Sequence, residues 1–223
     1  MIIDTLVLEN YRPFAGRQKV VFAPPGACNV TLLIGGSGAG NSTLIRLICH
    51  LFSDHHDNFD ALRDRQNGGA NPGSAASLIV KIGNQPFRAS RHNTDLPPES
   101  GIYDLRLLFG APPDTEPDRA PLSSGQQQFL LLREAMWQRQ GRRYDDTEGG
   151  PLLLDDPFRC LDLRQRQQAA ELFGHGGRQT IIALRPQDYR EMLASGWTQY
   201  RRVGRLYRLL RTSGNTQSVS RER

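Results

Sequence analysis

A glycine-rich segment at residues 35–43 stands between a short apolar run and a stretch whose apolar residues have helical spacing. Glycines let successive backbone N–H groups turn toward one point, and the start of a helix adds the positive end of its dipole. A strand, such a loop and then a helix predict a phosphate-binding loop, with the Ser42 hydroxyl as a ligand of Mg²⁺. The residues expected at the phosphates are Gly35, Gly36, Ser37, Gly38, Ala39, Gly40, Asn41, Ser42 and Thr43. A plain glycine-rich turn is the weaker alternative.

Asn41 stands where the phosphate-loop pattern has a lysine. The lysine ammonium reaches the β- and γ-phosphates and offsets their charge during phosphoryl transfer. Asparagine is neutral and too short to bridge both groups, so the loop amides and Mg²⁺ could hold a nucleotide while transfer suffers. Two origins remain open: a naturally degenerate loop, or a substitution that traps or silences the protein.

Two further motifs follow in the chain. The first is Leu-Ser-Ser-Gly-Gln-Gln-Gln at residues 122–128. The second is Leu-Leu-Leu-Asp-Asp-Pro-Phe at residues 152–158, with Leu-Asp at residues 161–162. Together with the glycine loop, and in this order, they resemble the motifs of the ATP-binding cassette (ABC) type P-loop ATPases. A single motif would mean little, but three in the family's order make coincidence improbable.

The resemblance implies ATP and Mg²⁺ as cofactors and a role for each motif. Asp155 would hold Mg²⁺ through water, as the carboxylate of a Walker B strand. Asp156 stands where the family has its glutamate general base. The signature motif would present a serine and backbone N–H groups of a helix N-terminus to the γ-phosphate held by the opposite subunit. Its residues are Ser123, Ser124, Gly125 and Gln126.

Departures from the family pattern put rapid hydrolysis in doubt. Asp156 is one methylene shorter than glutamate, and a misplacement of about 1 Å can slow a reaction roughly a hundredfold. Arg185 stands where the switch histidine is expected, after the strand at residues 180–184. With Asn41, three expected catalytic groups are altered. The expected catalytic residues are therefore Asp156 and Arg185, in an ATPase that is slow or inactive.

The amino-terminal segment indicates which branch of the family the chain resembles. Leu-Glu-Asn-Tyr-Arg-Pro-Phe at residues 8–14 and a hairpin at residues 79–91 are similar to the SMC/RecF/DndD-type ATPase heads of DNA maintenance. By that resemblance Arg12 is a candidate phosphate contact; a surface arginine is the alternative. SMC-type proteins carry a long coiled coil between the P-loop and the signature, but residues 44–122 hold no sustained heptads. We therefore expect a head without an arm.

Composition bounds the class of protein. A hydrophobic content of 38% and a charged content of 23% are typical of a soluble globular protein. No run approaches the roughly 18 to 20 apolar residues of a membrane span, and the amino terminus lacks signal-peptide features. Three scattered cysteines indicate reduced thiols and a cytoplasmic protein.

The net charge is +5, and Lys19 and Lys81 are the only lysines among 28 basic residues. Such arginine enrichment favours nucleic-acid contact or reflects a GC-rich genome.

Strands alternating with helices predict an α/β fold with a mostly parallel sheet. The resemblance implies that this fold is a P-loop NTPase of ABC type, its sheet flanked by helices, with an antiparallel amino-terminal β lobe. Residues 1–211 are expected to form one nucleotide-binding domain, and residues 212–223 a disordered tail. A final hairpin is predicted within residues 197–210, around Gly204. Predicted strands cover residues 4–8, 18–22, 30–34, 77–82, 87–91, 152–155 and 180–184, and predicted helices cover residues 42–52, 125–139, 164–173 and 186–194.

Two other clusters have ordinary alternatives. His50, His55 and His56 are more typical of a solvated helix end than of a metal site. Five arginines in residues 201–211, with Tyr200 and Tyr207, fit either a nucleic-acid backbone contact or a solvated strand face.

Three functions remain open at this stage. The first is an ATPase head that dimerises around ATP–Mg²⁺, as a homodimer or with a partner head, possible DNA or nuclease partners and no membrane, in a DNA-related or defence complex. The second is a scaffold that binds nucleotide without hydrolysing it. The third is the ATP-binding subunit of a membrane transporter, against which the amino-terminal segment argues.

Overall fold

A computed structural model of the chain describes residues 2–11, 14–52, 75–82, 84–90, 93–94, 132, 151–173, 177–211 and 217–222. The strands of these residues form two sheets of five strands each. The first sheet is antiparallel and has the order β2-β1-β4-β5-β6. Its strands are β1 (Ile2–Glu9), β2 (Arg17–Val21), β4 (Ala75–Ile82), β5 (Gln85–Ser90) and β6 (Asn93–Thr94).

The second sheet contains the strand that precedes the glycine loop and has the order β10-β9-β3-β8-β7. Its strands are β3 (Val30–Gly35), β7 (Leu152–Asp155), β8 (Thr180–Leu184), β9 (Val203–Arg211) and β10 (Gln217–Arg221). The first four are parallel to one another, and β10 runs antiparallel to β9. β3 and β8 are buried along their whole length, as expected for central strands of a parallel sheet covered on both faces.

Helices cover the second sheet: α1 (Asn41–Phe52), α2 (Leu163–Leu172) and α3 (Pro186–Ala194), with a short 3₁₀ helix at Thr198–Arg202. Side chains of β3 alternate between two apolar clusters, because successive residues of a strand point to opposite faces. Leu33 packs with α1 and the antiparallel sheet, whereas Leu32 and Ile34 pack with α2 and α3. The predicted α/β class, with its antiparallel amino-terminal lobe, is confirmed.

Buried polar side chains connect the two sheets. Gln179, which is 2% exposed, accepts a hydrogen bond from the Ile3 backbone and donates to the carbonyl oxygens of Ile3 and Ala23. The Tyr207 hydroxyl exchanges hydrogen bonds of 3.0 and 2.9 Å with the backbone of Val21. These contacts satisfy backbone groups that would otherwise be buried without partners.

The carboxyl-terminal expectations are wrong. Residues 198–202 form the 3₁₀ helix, and β9 then runs without a turn through Gly204. The predicted disordered tail instead contains β10, which pairs with β9 in register from Gln217↔Arg211 to Arg221↔Tyr207. A strand that forms by pairing with a distant strand has few features in its own sequence that predict it, which is why β10 was missed. The predicted helix at residues 125–139 lies outside the described residues except for Leu132, which is helical and buried.

Candidate functional site

The glycine loop turns the chain from β3 into α1. Gly38 and Gly40 have φ angles of 74° and 94°, a region that favours glycine. Residues 36–38 are exposed, and a Cβ atom added at Gly36 or Gly38 would meet no atom within 4 Å. α1 has no acidic residue in its first turn. The loop therefore presents open backbone at a helix N-terminus without a competing carboxylate, which fits a phosphate group.

Gly35, the last residue of β3, has no room for a side chain. A Cβ atom there would lie 2.4 Å from Asn41 Oδ1 and 2.9 Å from the Cβ atoms of Ala39 and Leu209. The glycine is thus required by close packing under the loop, whereas Gly36 and Gly38 border open space.

The Asn41 side chain is directed at the backbone beneath the loop. Its Nδ2 donates to the carbonyl oxygens of Gly35 at 2.8 Å and Leu184 at 3.1 Å. These two residues end the neighbouring strands β3 and β8. Asn41 Oδ1 is buried without a hydrogen-bond partner. The amide therefore joins two strand ends, and both of its N–H donors are used there.

The two consecutive aspartates lie at the same edge of the sheet as the loop, because the carboxyl ends of parallel strands meet there. Asp155 ends β7 opposite Ala183, and the Asp156 N–H donates to the Ala183 carbonyl at 3.0 Å. Asp156 has a φ angle of 47°, a left-handed conformation that aspartate tolerates better than most residues. Ser42, exposed in the first turn of α1, lies at this edge too, because α1 begins directly after the loop that leaves the carboxyl end of β3.

Arg185 follows β8 and forms an ion pair with Asp156, with 3.4 Å between Nε and Oδ1. Burial raises the pKa of Asp156, whereas the positive charge of Arg185 acts to lower it. Hydrogen bonding to Asp188 in turn raises the pKa of Arg185. The structure therefore brings together the two predicted catalytic residues, Asp156 and Arg185.

Sequence reasoning missed Asp188 and Arg166. Asp188 is the third residue of α3, where an acidic residue is ordinarily explained by the helix dipole. Arg166 lies on α2, whose N-cap, Asp162, forms a capping box with Gln165. Only the packing of α2 against α3 brings Arg166 to Asp188, at 2.9 Å.

Some predicted site residues lie outside the described residues: Arg12 and the signature residues Ser123, Ser124, Gly125 and Gln126. Within the described ranges, no group of three or more histidine, cysteine or acidic residues could hold a metal ion. Ser42 and Asp155 supply oxygen ligands of the kind Mg²⁺ uses, since that ion keeps several waters and binds few protein groups. The donor set therefore fits Mg²⁺.

The chain shares its fold with solved structures of known class. An SMC head bound to the C-winged-helix domain of ScpA superposes with a TM-score of 0.65 at 9% identity, covering 100% of this chain and 98% of that one. The SMC head domain from Thermotoga maritima gives 0.58 at 13% identity, with 100% of both chains covered. A nucleotide-free ATP-binding cassette of an ABC transporter gives 0.51 at 15% identity, covering 100% of this chain and 92% of that one.

These likenesses show that the chain has the fold of SMC heads and of an ABC transporter's ATP-binding cassette, and they confirm the predicted resemblance at the level of the fold. No family model matches the chain, and no curated protein matches it by sequence. No helix among the described residues is long and apolar enough to cross a membrane.

Proposed function

We propose that this chain is an ATP-binding head that holds ATP–Mg²⁺ on the loop at residues 35–43 and hydrolyses it slowly. One observation carries the proposal. The open glycine loop, the exposed Ser42 and the acidic end of β7 share one edge of the parallel sheet. Backbone N–H groups of the loop would hold the phosphates, and Ser42 and Asp155 would hold Mg²⁺, which supplies charge neutralisation.

The residues at the proposed catalytic positions support slow hydrolysis. The Asn41 amide is neutral, so it offers no positive charge to the phosphates, and its N–H groups donate to Gly35 and Leu184 instead. Asp156, the proposed general base, is partly buried and paired with Arg185, and it is one methylene shorter than the glutamate that the resemblance implies. Arg185 would hold that carboxylate in place.

Assembly of two heads around nucleotide is part of the proposal. The resemblance gives Ser123, Ser124, Gly125 and Gln126 the role of completing the nucleotide site of another subunit. A DNA-related or defence complex, in the cytoplasm, is the proposed setting, since two of the structures with this fold are SMC heads.

A second candidate, a nucleotide-gated scaffold that does not hydrolyse ATP, is favoured by one observation. The hydrogen bonds of Asn41 join the ends of β3 and β8 beneath the loop, so they support the binding edge independently of turnover. Under this alternative, nucleotide still controls assembly of the heads.

Calorimetric titration with ATP–Mg²⁺ tests the proposed function. The full chain should bind nucleotide, and its Asn41→Lys variant should bind more tightly because a phosphate-directed charge is restored. Equal affinities would mean that position 41 is not equivalent to the lysine. Absence of heat with either protein, at nucleotide concentrations up to the millimolar range, would contradict the proposal. Turnover by the chain with Asn41 separates the ATPase from the scaffold.

A further inference from the structure

A buried carboxylate lies behind the pair formed by Asp156 and Arg185. Asp188 is 1% exposed. Its Oδ2 accepts a hydrogen bond from Arg185 Nε at 2.7 Å, and its Oδ1 accepts one from Arg185 Nη2 at 3.3 Å. A charge removed from water to this degree needs charged partners. Asp188 therefore forms the stronger contact of Arg185, because Asp156 Oδ1 is 3.4 Å from the same Nε atom.

Arg166 fixes Asp188 from the other side. Its Nη1 donates to Asp188 Oδ1 at 2.9 Å and to Glu191 Oε2 at 2.7 Å. Its Nε donates to the carbonyl oxygen of Leu161 at 2.9 Å. Arg166 therefore has three acceptors, on α3 and on the segment before α2, and its guanidinium plane is fixed by them.

We infer that Asp188 is a positioning residue that holds the guanidinium of Arg185 at the carboxylate of Asp156, and that Arg166 holds Asp188 in turn. The inference rests on the proposed function, since Asp156 and Arg185 act there on nucleotide hydrolysis. The side chain of Arg185 is 48% exposed, so without Asp188 it is free to turn toward solvent. Asp188 itself is too deeply buried to contact a nucleotide.

These contacts form a continuous series that joins residues 161–162 to Asp156. Leu161 lies in the Leu-Asp segment at residues 161–162, which is part of the motif resemblance, and it connects through Arg166, Asp188 and Arg185 to Asp156. Each link is a hydrogen bond or an ion pair between described side chains, apart from the Leu161 carbonyl. A displacement of residues 161–162 would therefore be transmitted to the candidate base.

A double-mutant cycle in steady-state ATP hydrolysis tests the inference, in an Asn41→Lys background. Asp188→Asn keeps the shape of the side chain and removes its charge. It should lower kcat by about tenfold to a hundredfold, as expected for a misplaced catalytic group, and leave KM for ATP unchanged. In an Arg185→Gln background, Asp188→Asn should have no further effect on kcat. If the double variant instead lost kcat by the product of the two single losses, the inference would be overturned, since Asp188 would then act independently of Arg185.

Asp4→Asn is the matched control. Asp4 also pairs with a basic side chain, Lys81, but in the antiparallel sheet, so loss of an ion pair there should leave kcat unaltered. Since removing a buried charge can prevent folding, Arg166→Gln provides a second variant. Its side chain is 23% exposed. It should lower kcat in the same direction, again without effect once Arg185 is glutamine.

The outcomes distinguish a failure of the proposed function from a failure of the inference about Asp188. An Asn41→Lys protein that neither binds ATP in calorimetry nor hydrolyses it would refute the proposed function and the inference together. An active parent whose kcat is unchanged by Asp188→Asn and by Arg166→Gln would refute the inference alone.

Discussion

The side-chain nitrogen of Asn41 lies 2.8 Å from the carbonyl oxygen of Gly35 and 3.1 Å from that of Leu184. The residue that follows the glycine loop thus bonds to the last residues of two adjacent parallel strands. The phosphate-loop pattern has a lysine at this position, which reaches the phosphates. Here the asparagine instead joins two strand ends beneath the loop, and this difference leads to the first prediction.

Asn41→Lys should destabilise the chain in the absence of nucleotide, by about 1 to 3 kcal/mol, because two hydrogen bonds of roughly 0.5 to 1.5 kcal/mol each are lost. ATP–Mg²⁺ should then raise the melting temperature of the variant more than that of the chain with Asn41, since tighter binding stabilises by mass action. Thermal melting with and without nucleotide measures both effects. Asn41→Ala is the control: it loses the hydrogen bonds without gaining a charge, so it should show the destabilisation only.

The rate of ATP hydrolysis should increase in the Asn41→Lys variant. A rate as high as that of the ABC-type ATPases that the sequence resembles should require Asp156→Glu as well. General-base help is commonly worth about 10² to 10⁴ in rate, and a glutamate reaches further toward the water. The φ angle of 47° at residue 156 opposes the change, since a left-handed conformation costs most residues about 1 to 2 kcal/mol. We expect higher activity at lower stability, measured by phosphate release and by chemical denaturation. Full activity with Asn41→Lys alone would show that aspartate is an adequate base.

Gly35→Ala and Gly36→Ala should differ sharply although the residues are adjacent. An alanine Cβ at residue 35 meets Asn41, Ala39 and Leu209 at 2.4 to 2.9 Å, whereas at residue 36 it meets nothing within 4 Å. Overpacking of this kind commonly costs about 1 to 3 kcal/mol, so Gly35→Ala should lower the free energy of unfolding by that amount. It should also weaken nucleotide binding, because the loop must shift. Similar stability of the two variants would contradict the packing described beneath the loop.

Ser124→Glu should prevent nucleotide-dependent dimerisation while leaving the melting of the monomer unchanged. In the sandwich that the resemblance implies, the signature segment meets the γ-phosphate of another subunit, and a carboxylate there would oppose it. Light scattering with and without ATP, in an Asn41→Lys background so that nucleotide is bound, measures the effect. A variant that dimerises like its parent would show that residues 123–126 are not the signature motif.

Much of the fold was predictable because its signals are local. β7 and β8 begin and end at the predicted residues, and α3 begins at Pro186, whose missing N–H and fixed φ favour the first helical position. The apolar run of β3 followed by glycines and a helical pattern predicted the loop, and the structure forms it there. The predicted catalytic residues Asp156 and Arg185 are in contact.

Only the tertiary structure decided which way the site residues point and what they contact. Asn41 bonds to Leu184, 143 residues away, and Arg166 bonds to Asp188 because α2 packs against α3. β10 is likewise stabilised by pairing with β9, for which its own short sequence gives little signal. Periodicity, turns and caps are set by neighbours in sequence, and the sequence determined them. A hydrogen bond or strand pairing between distant residues depends on the packing that brings them together.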